Sequence, residues 1–242
     1  MERVLAIREI EIDNKKFKIA YDIINSDKKR DIIFLHGWGS NKEIMKTFAN
    51  NFKEFRHIYI DMPGFGKSSN EYVLTTKEYA KIIDKFLKEI SIKKDIIIGH
   101  SFGGKVATLL NPKLLVLLAS SGILEKKPLK VRVKIKLFKL LKRVGLAKFR
   151  KFFVSNDVKG MNENMYNTFK NVVDEEFSEV FANYKGEVLI FGAYDDKAVS
   201  VEAIKKQSQL LKSKNIMLSG NHYFFTKEKN KKIIEKKIKE KI

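Results

Sequence analysis

The stretch Ile96-Ile97-Ile98-Gly99-His100-Ser101-Phe102-Gly103-Gly104 decides how this chain folds. An apolar, β-branched run ends in Gly-x-Ser-x-Gly, and residues 105–110, which are able to form a helix, follow directly. Glycines two positions before and after the serine let the strand and helix backbones pass very close to each other. Such a turn holds the serine at the carboxyl end of a sheet, above a helix N-terminus that favours negative charge. The pattern therefore predicts that Ser101 is a nucleophile.

Length and composition limit the class of protein. The chain has 242 residues, of which 44% are hydrophobic, so we expect a globular fold with a substantial core. It has no cysteine, which excludes disulfides, thiolate metal sites and a cysteine nucleophile. Residues 1–13 show no continuous apolar core of a signal peptide, and no apolar run is long enough to span a bilayer. We predict a cytoplasmic protein.

The positive charge is concentrated in two segments. The formal net charge is +20, but twelve lysines and arginines and no acidic residue lie between Lys126 and Phe153. Residues 227–242 add eight lysines against three glutamates. The remainder of the chain is close to balanced, so the charge by itself does not indicate a nucleic-acid-binding protein.

Strands and helices alternate along most of the chain. Residues 7–13 and 16–24 read as an antiparallel hairpin. The predicted strands that follow are short and apolar, as is typical of strands buried on both faces: 31–35, 57–60, 95–98, 114–118, 188–191 and 215–218. Helices are predicted at 41–52, from Thr75 with a Thr-x-x-Glu capping box, at 200–212 and from Lys227. This order predicts an α/β fold with a mostly parallel central sheet and helices on both faces.

The middle of the chain interrupts this alternation. Residues 123–184 contain no convincing buried strand, but apolar spacing indicates one helix around Leu137–Val144 and another around Met165–Val173. We interpret 123–184 as a helical cap, or lid, inserted into a core formed by 1–122 and 185–242.

Four motifs, in this order, resemble those of α/β-hydrolases of the broad esterase and C–C hydrolase group. They are His36-Gly37-Trp38-Gly39, Asp61-x-Pro-Gly-x-Gly-x-Ser, the Gly-x-Ser-x-Gly stretch, and Gly220-Asn221-His222-Tyr223. The resemblance implies the α/β-hydrolase fold and a Ser-His-Asp triad with Ser101 as nucleophile and His222 as base. It also implies an oxyanion hole from the backbone N–H groups of Phe102 and Trp38, in a loop shaped by His36 and Gly37.

The triad acid has two candidates. The family pattern of strand, glycine, two residues and aspartate favours Asp195, whereas the following residues, 197–200, fit better if Asp196 is the counterpart. Asp195 is the preferred interpretation and Asp196 the alternative. Asp61 belongs to a turn that is a structural signature in this family, so we do not expect it to be catalytic.

The function that this resemblance implies is hydrolysis of a carboxylic ester of a small or medium substrate, without a metal or organic cofactor. One alternative is a C–C bond hydrolase acting on a 2-hydroxy-6-oxo-dienoate-type substrate. Another is a hydrolase-fold binding protein with little turnover. The basic face of the cap is interpreted first as an ordinary solvated helix face; the alternatives are that it attracts an anionic small-molecule substrate or makes a weak contact with a membrane surface. No nucleic-acid partner is expected, and the sequence does not indicate an oligomeric state.

Overall fold

The core is an eight-stranded sheet with the order β1-β2-β4-β3-β5-β6-β7-β8. The computed structural model describes residues 4–125 and 161–242. The strands are β1 (Val4–Ile12), β2 (Lys15–Ile24), β3 (Asp31–Leu35), β4 (Arg56–Ile60), β5 (Ile96–His100), β6 (Leu114–Leu118), β7 (Glu187–Ala193) and β8 (Asn215–Leu218). Strand β2 pairs antiparallel with β1 and β4, and every other neighbouring pair is parallel. The predicted fold class is confirmed.

The first two strands form the predicted hairpin. Ile12 pairs with Lys15, so Asp13 and Asn14 make a two-residue turn with φ values of 51° and 58°. Two consecutive left-handed residues are the backbone of a type I′ turn, and Asp and Asn tolerate that conformation better than most residues.

The helices are α1 (Lys42–Met45), α2 (Thr76–Glu89), α3 (Phe102–Leu110), α4 (Glu163–Val173), α5 (Ser178–Asn183), α6 (Val201–Leu210) and α7 (Glu228–Lys239). Short 3-10 turns occupy Lys46–Phe48 and Phe224–Thr226. Every residue of β3, β5 and β6 is buried, which requires cover on both faces of the sheet. The capping box predicted at Thr75 is present, since Thr75 and Glu78 exchange hydrogen bonds at the start of α2.

One predicted helix is much shorter than expected. The apolar spacing predicted a helix over 41–52, but α1 covers only Lys42–Met45 and tightens into a 3-10 turn. Phe52 has a φ of 49°, which directs the chain out of the helical path toward β4. The buried Phe48 ends the 3-10 turn and the buried Phe52 follows it, so these two side chains do not reach the core from one helix face.

Helices α4 and α5 lie in the predicted insertion, and α4 packs on the loop before α2. The Thr168 hydroxyl accepts from the Leu74 N–H at 3.0 Å, and the Asn171 amide donates to the Leu74 carbonyl at 3.2 Å. The helix predicted around Met165–Val173 is confirmed as α4. The helix predicted around 137–144 and the whole basic segment, 126–153, lie outside the described residues, and the boundary of a separate cap remains a prediction. Within residues 4–125 and 161–242, no helix is long and apolar enough to cross a membrane.

Candidate active site

The predicted site residues converge because parallel strands end at the same edge of the sheet. Gly37 follows β3, Ser101 follows β5, Asp196 follows β7 and His222 follows β8. Strands β3 and β5 are neighbours, as are β7 and β8, so the loops that carry these residues emerge side by side. Residues that are up to 185 positions apart in the sequence therefore share one end of the molecule.

Ser101 occupies a strained turn between β5 and α3. Its φ of 51° and ψ of −115° lie outside the regions that L-residues normally adopt. A Cβ on Gly99 would lie 2.5 Å from the Gly103 carbonyl oxygen, and a Cβ on Gly103 would lie 2.5 Å from the His36 carbonyl oxygen. Only glycine fits at either position. The strand-turn-helix geometry predicted for this stretch is confirmed.

His36 shapes the loop that follows β3. It is fully buried; its Nδ1 donates to the Gly37 carbonyl at 2.8 Å, and its Nε2 accepts from the Met62 N–H at 3.0 Å. Burial lowers the pKa of His36 to about 4, despite the favourable hydrogen bond to Gly37. The ring is therefore neutral at physiological pH, and both of its nitrogens are engaged. It is not available as a general base.

The backbone at Gly37 lies directly against the nucleophile turn. A Cβ at this position would lie 2.9 Å from His100 Nδ1 and 3.2 Å from Ser101 Cβ. The next residue, Trp38, begins an aromatic wall, in which its ring centroid lies 4.9 to 5.5 Å from those of Phe65, Phe102 and Phe169. The two residues from which we expect oxyanion N–H groups, Trp38 and Phe102, are thus in contact.

The structure places Asp196, and not the preferred Asp195, against His222. Asp196 Oδ2 accepts from His222 Nδ1 at 2.8 Å, whereas Asp195 is exposed. The reason is that pairing with the β8 side continues past the end of β7: the Tyr194 N–H donates to Leu218 and the Asp195 N–H to Gly220. The chain therefore turns one residue later than the family spacing suggests, and the side chain of Asp196, rather than that of Asp195, points toward His222.

The Asp196 carboxylate is held as an anion. Its side chain is fully buried, and its Oδ1 accepts from the N–H groups of Ala198 and Val199 at 2.7 and 3.0 Å. Burial alone raises the pKa of this carboxyl, but the hydrogen bonds from His222 and the two N–H groups outweigh it, so the pKa lies below its usual value.

The hydrogen bond to Asp196 determines the tautomer of His222. A carboxylate accepts only, so Nδ1 of His222 is the donor, and in the neutral tautomer that this bond selects the lone pair is on Nε2. The side chain is 19% exposed, and its ring lies 4.5 Å from that of His100, the residue before Ser101. Among the described residues, no hydrogen bond joins the Ser101 hydroxyl to His222; apo sites often tighten this contact only when substrate binds.

Asp61 has a structural position, as expected from its motif. Its carboxylate is buried and accepts from both the backbone N–H and the Nζ of Lys42, at 2.7 and 2.8 Å, and from the Lys67 N–H at 3.0 Å. Ser68 donates to its carbonyl at 2.6 Å. Asp61 therefore closes the turn after β4 and ties it to α1.

The sequence analysis did not identify the contacts of Lys105, one turn after Ser101. This lysine is almost completely buried, and its Nζ donates to the Val172 carbonyl at 2.6 Å and to Glu175 at 2.9 Å. A single lysine in the otherwise apolar helix α3 was the only available signal. It connects the helix below the nucleophile to the end of α4.

The strand order, with the serine turn after β5, defines an α/β-hydrolase fold. Residues 32–113, about a third of the chain, match the family model described as the alpha/beta hydrolase fold. The enol-lactonase of Burkholderia xenovorans superposes with a TM-score of 0.73, over 96% of this chain and 98% of that one, at 14% identity. The chain is therefore an α/β-hydrolase-fold protein.

Sequence relatives match over shorter stretches. An uncharacterised hydrolase of Bacillus subtilis is 29% identical over 135 residues, which cover 52% of this chain and 49% of that protein. The pimeloyl-[acyl-carrier protein] methyl ester esterase of Proteus mirabilis is 34% identical over 100 residues, or 38% of this chain and 37% of that protein. The match thus spans about half or less of the length of these relatives.

Proposed function

We propose that the protein is a serine hydrolase that cleaves a carboxylic ester of a small or medium substrate, with Ser101 as nucleophile, His222 as base and Asp196 as the acid. The observation that carries this proposal is the hydrogen bond between the buried Asp196 side chain and the partly exposed His222, at the sheet edge where the strained turn presents Ser101. The ester-cleaving relative of Proteus mirabilis supports the choice of bond.

The chemistry follows from the protonation states. His222 Nε2 takes the hydroxyl proton as Ser101 Oγ attacks the ester carbonyl carbon. The ionised Asp196 stabilises the imidazolium that forms, and the N–H groups of Phe102 and Trp38 stabilise the oxyanion. The imidazolium then gives its proton to the departing alcohol, and water, activated by the same histidine, releases the acid from Ser101.

The surroundings of the nucleophile favour an apolar acyl group. The rings of Trp38, Phe102 and Phe169 form a continuous wall beside the serine turn, and Trp38 and Phe169 are only partly buried. Apolar and aromatic linings of this kind are typical of pockets that bind small molecules.

The test of the nucleophile is labelling with a fluorescent fluorophosphonate. We expect the folded protein to be labelled and Ser101→Ala to be unlabelled. The matched control is Ser121→Ala, a serine on the neighbouring loop whose N–H donates to the Ser101 carbonyl. Folded wild-type protein without any labelling, or labelling that survives in Ser101→Ala, would contradict the proposal.

The test of the acid uses two neighbouring aspartates. Asp196→Asn removes the anion and favours the wrong histidine tautomer, so kcat falls by about 10⁴-fold, as in other triads. Asp195→Asn changes an exposed side chain and leaves kcat within about twofold. Equal losses in both variants would remove Asp196 from the proposed role.

A substrate panel separates the remaining alternatives. We expect turnover of p-nitrophenyl acetate and butyrate that depends on Ser101. Preferential cleavage of a 2-hydroxy-6-oxo-dienoate would instead identify a C–C hydrolase. Tight ligand binding without turnover of either class would identify a binding protein.

A further inference from the structure

His100 connects three parts of the candidate site. It directly precedes Ser101, its Nε2 lies 3.0 Å from the backbone carbonyl oxygen of His222, and its Nδ1 faces the backbone of Gly37. The side chain is 1% exposed, so it lies beneath the site rather than on its surface. It therefore contacts the loops that carry the proposed base and the oxyanion donors.

The hydrogen bond fixes where the single proton of His100 resides. A carbonyl oxygen accepts only, so Nε2 must carry the hydrogen. Burial lowers the pKa of His100 well below its usual value, with a further contribution from the neighbouring His222, so the ring is neutral and Nδ1 has no hydrogen. Within residues 4–125 and 161–242, Nδ1 has no hydrogen-bond partner, and it donates nothing to the loop at Gly37. The one hydrogen bond that the His100 side chain makes to these residues is thus with His222.

Ring packing acts on the same loop. The His100 ring centroid lies 4.5 Å from that of His222, 5.3 Å from that of Tyr223 and 4.8 Å from that of Phe225. His222, Tyr223 and Phe225 thus pack around one imidazole at the end of β5. Asp196 binds Nδ1 of the His222 ring, whereas His100 binds the backbone carbonyl of the same residue.

We propose that His100 is a positioning residue, which sets the distance between the proposed base and nucleophile by binding the His222 carbonyl through its Nε2–H and packing against the His222 ring. This inference rests on the proposed function and extends it. His100 takes no part in proton transfer, because its one hydrogen is given to a backbone carbonyl. Its effect on the reaction is geometric.

Two substitutions separate the hydrogen bond from the packing. His100→Gln keeps an N–H near the place of Nε2, and His100→Phe keeps a ring of similar size without a donor. We expect His100→Phe to lower kcat for p-nitrophenyl butyrate by about 10²-fold, with KM within about twofold, because a base displaced by about 1 Å loses that much. His100→Gln recovers at least about tenfold of the loss. His100→Asn, whose shorter amide places its N–H near the position of Nδ1 rather than Nε2, serves as the reference without the bond to the His222 carbonyl if His100→Phe does not fold.

Hydrogen exchange, which does not depend on turnover, tests the bond between His100 and the His222 carbonyl directly. We expect the backbone N–H groups of Phe224 and Thr226, which close turns onto Asn221 and Tyr223, to exchange with solvent deuterium faster in His100→Phe than in wild type or His100→Gln. Wild-type kcat in His100→Phe, or equal kcat losses in the Phe and Gln variants, would overturn the inference. If the wild-type protein is not labelled by the fluorophosphonate, but the Phe224 and Thr226 N–H groups exchange as expected, the proposed function alone is overturned.

Discussion

At the scale of single residues, the pair of Lys42 and Asp61 shows how a motif that looks catalytic can serve the fold. Their side chains are 3% and 1% exposed, and the carboxylate collects three hydrogen bonds from α1 and the turn after β4. Removing two charges from water is costly, and full hydrogen bonding offsets that cost. The bonds hold the turn beside the loop that carries Trp38.

Asp61→Asn removes the buried counter-charge of the Lys42 ammonium and leaves the exposed Glu43, 3.7 Å away, as its acidic partner. We expect the free energy of unfolding to fall by about 3–5 kcal/mol, measured by urea denaturation. Asp27→Asn, at an exposed aspartate, is the matched control and changes stability by about 0.5 kcal/mol or less. Protein that remains folded should still react with a fluorophosphonate; a stable but unreactive Asp61→Asn would assign Asp61 a role in the chemistry.

Substitution of Gly37 tests whether the close packing of the loop after β3 against the Ser101 turn is needed for activity. Gly37→Ala introduces a Cβ 2.9 Å from His100 Nδ1, so the loop must shift, and we expect kcat/KM to fall by about 10²-fold. Gly39→Ala is the control, because its Cβ meets nothing within 4 Å, and only its φ of 70° costs about 1–2 kcal/mol of stability. Unchanged kcat/KM in Gly37→Ala would show that the loop does not supply an oxyanion donor.

At the scale of elements, the buried Lys105 fastens α4 to α3. Its ammonium caps the carbonyl of Val172 near the end of α4 and pairs with Glu175, which also accepts from Thr76. Burial lowers the pKa of Lys105, and Glu175 partly opposes that shift. Helix α4, whose Phe169 contacts Trp38, is thus joined to helix α3, which begins directly after Ser101.

Lys105→Met keeps the apolar stem and removes the donors. We expect a loss of about 1–3 kcal/mol of stability and faster proteolysis between residues 161 and 184, because the Val172 carbonyl loses its partner. Lys185→Met, at an exposed lysine near α5, is the control and should match the wild type in both measurements. A cleavage pattern unchanged by Lys105→Met would mean that apolar packing alone docks α4.

Helix α7 is joined to the turn before β4 through Glu235. The carboxylate accepts from Asn51 at 2.6 Å, from the Phe52 N–H at 3.2 Å and from Lys239 at 2.8 Å. Burial raises its pKa, but these hydrogen bonds outweigh burial, so the pKa of Glu235 lies below its usual value. A carboxyl whose folded pKa is depressed stabilises the fold above its unfolded pKa, and this contribution is lost as the pH falls through the folded pKa.

Glu235→Gln should therefore destabilise the protein by about 1 kcal/mol at neutral pH. The difference from wild type should narrow as the pH falls below about 4, where the carboxyl takes up its proton first in the unfolded chain and then, at lower pH, in the folded protein. The midpoints of urea denaturation of the wild type and of Glu235→Gln, determined across this pH range, measure this difference in stability. Glu240→Gln, at the end of the same helix, is the control; a deficit that persists undiminished in acid would show that packing, and not ionisation, is responsible.

At the scale of the whole molecule, the net charge of +20 opposes compaction. Added salt screens this repulsion, with a Debye length that falls to about 10 Å at about 0.1 M. We expect the thermal midpoint to rise when NaCl is increased from about 20 to about 300 mM. Replacing four lysines of 126–142 by glutamine should reduce that rise; a midpoint that falls with salt would mean that attractive ion pairs dominate instead.

The sequence alone determined the elements, and through them the fold class. Apolar runs such as 32–35 and 114–118 are typical of strands buried in a parallel sheet, and the glycines on both sides of Ser101 allow the close strand-to-helix turn, which a Cβ would block. These are local properties of sterics and apolar periodicity, which need no partner. The same signals predicted a helix over 41–52, where the requirement to turn into β4 overrides the apolar spacing.

Only the tertiary structure decided which carboxylate meets the histidine and what lies beneath the site. Asp195 and Asp196 are adjacent and chemically identical, and the choice between them depends on how far β7 remains paired with the β8 side. The contacts of His100 with His222 and of Lys105 with α4 join residues 122 and 67 positions apart. Such contacts arise when the sheet assembles, so no pattern of neighbouring residues specifies them.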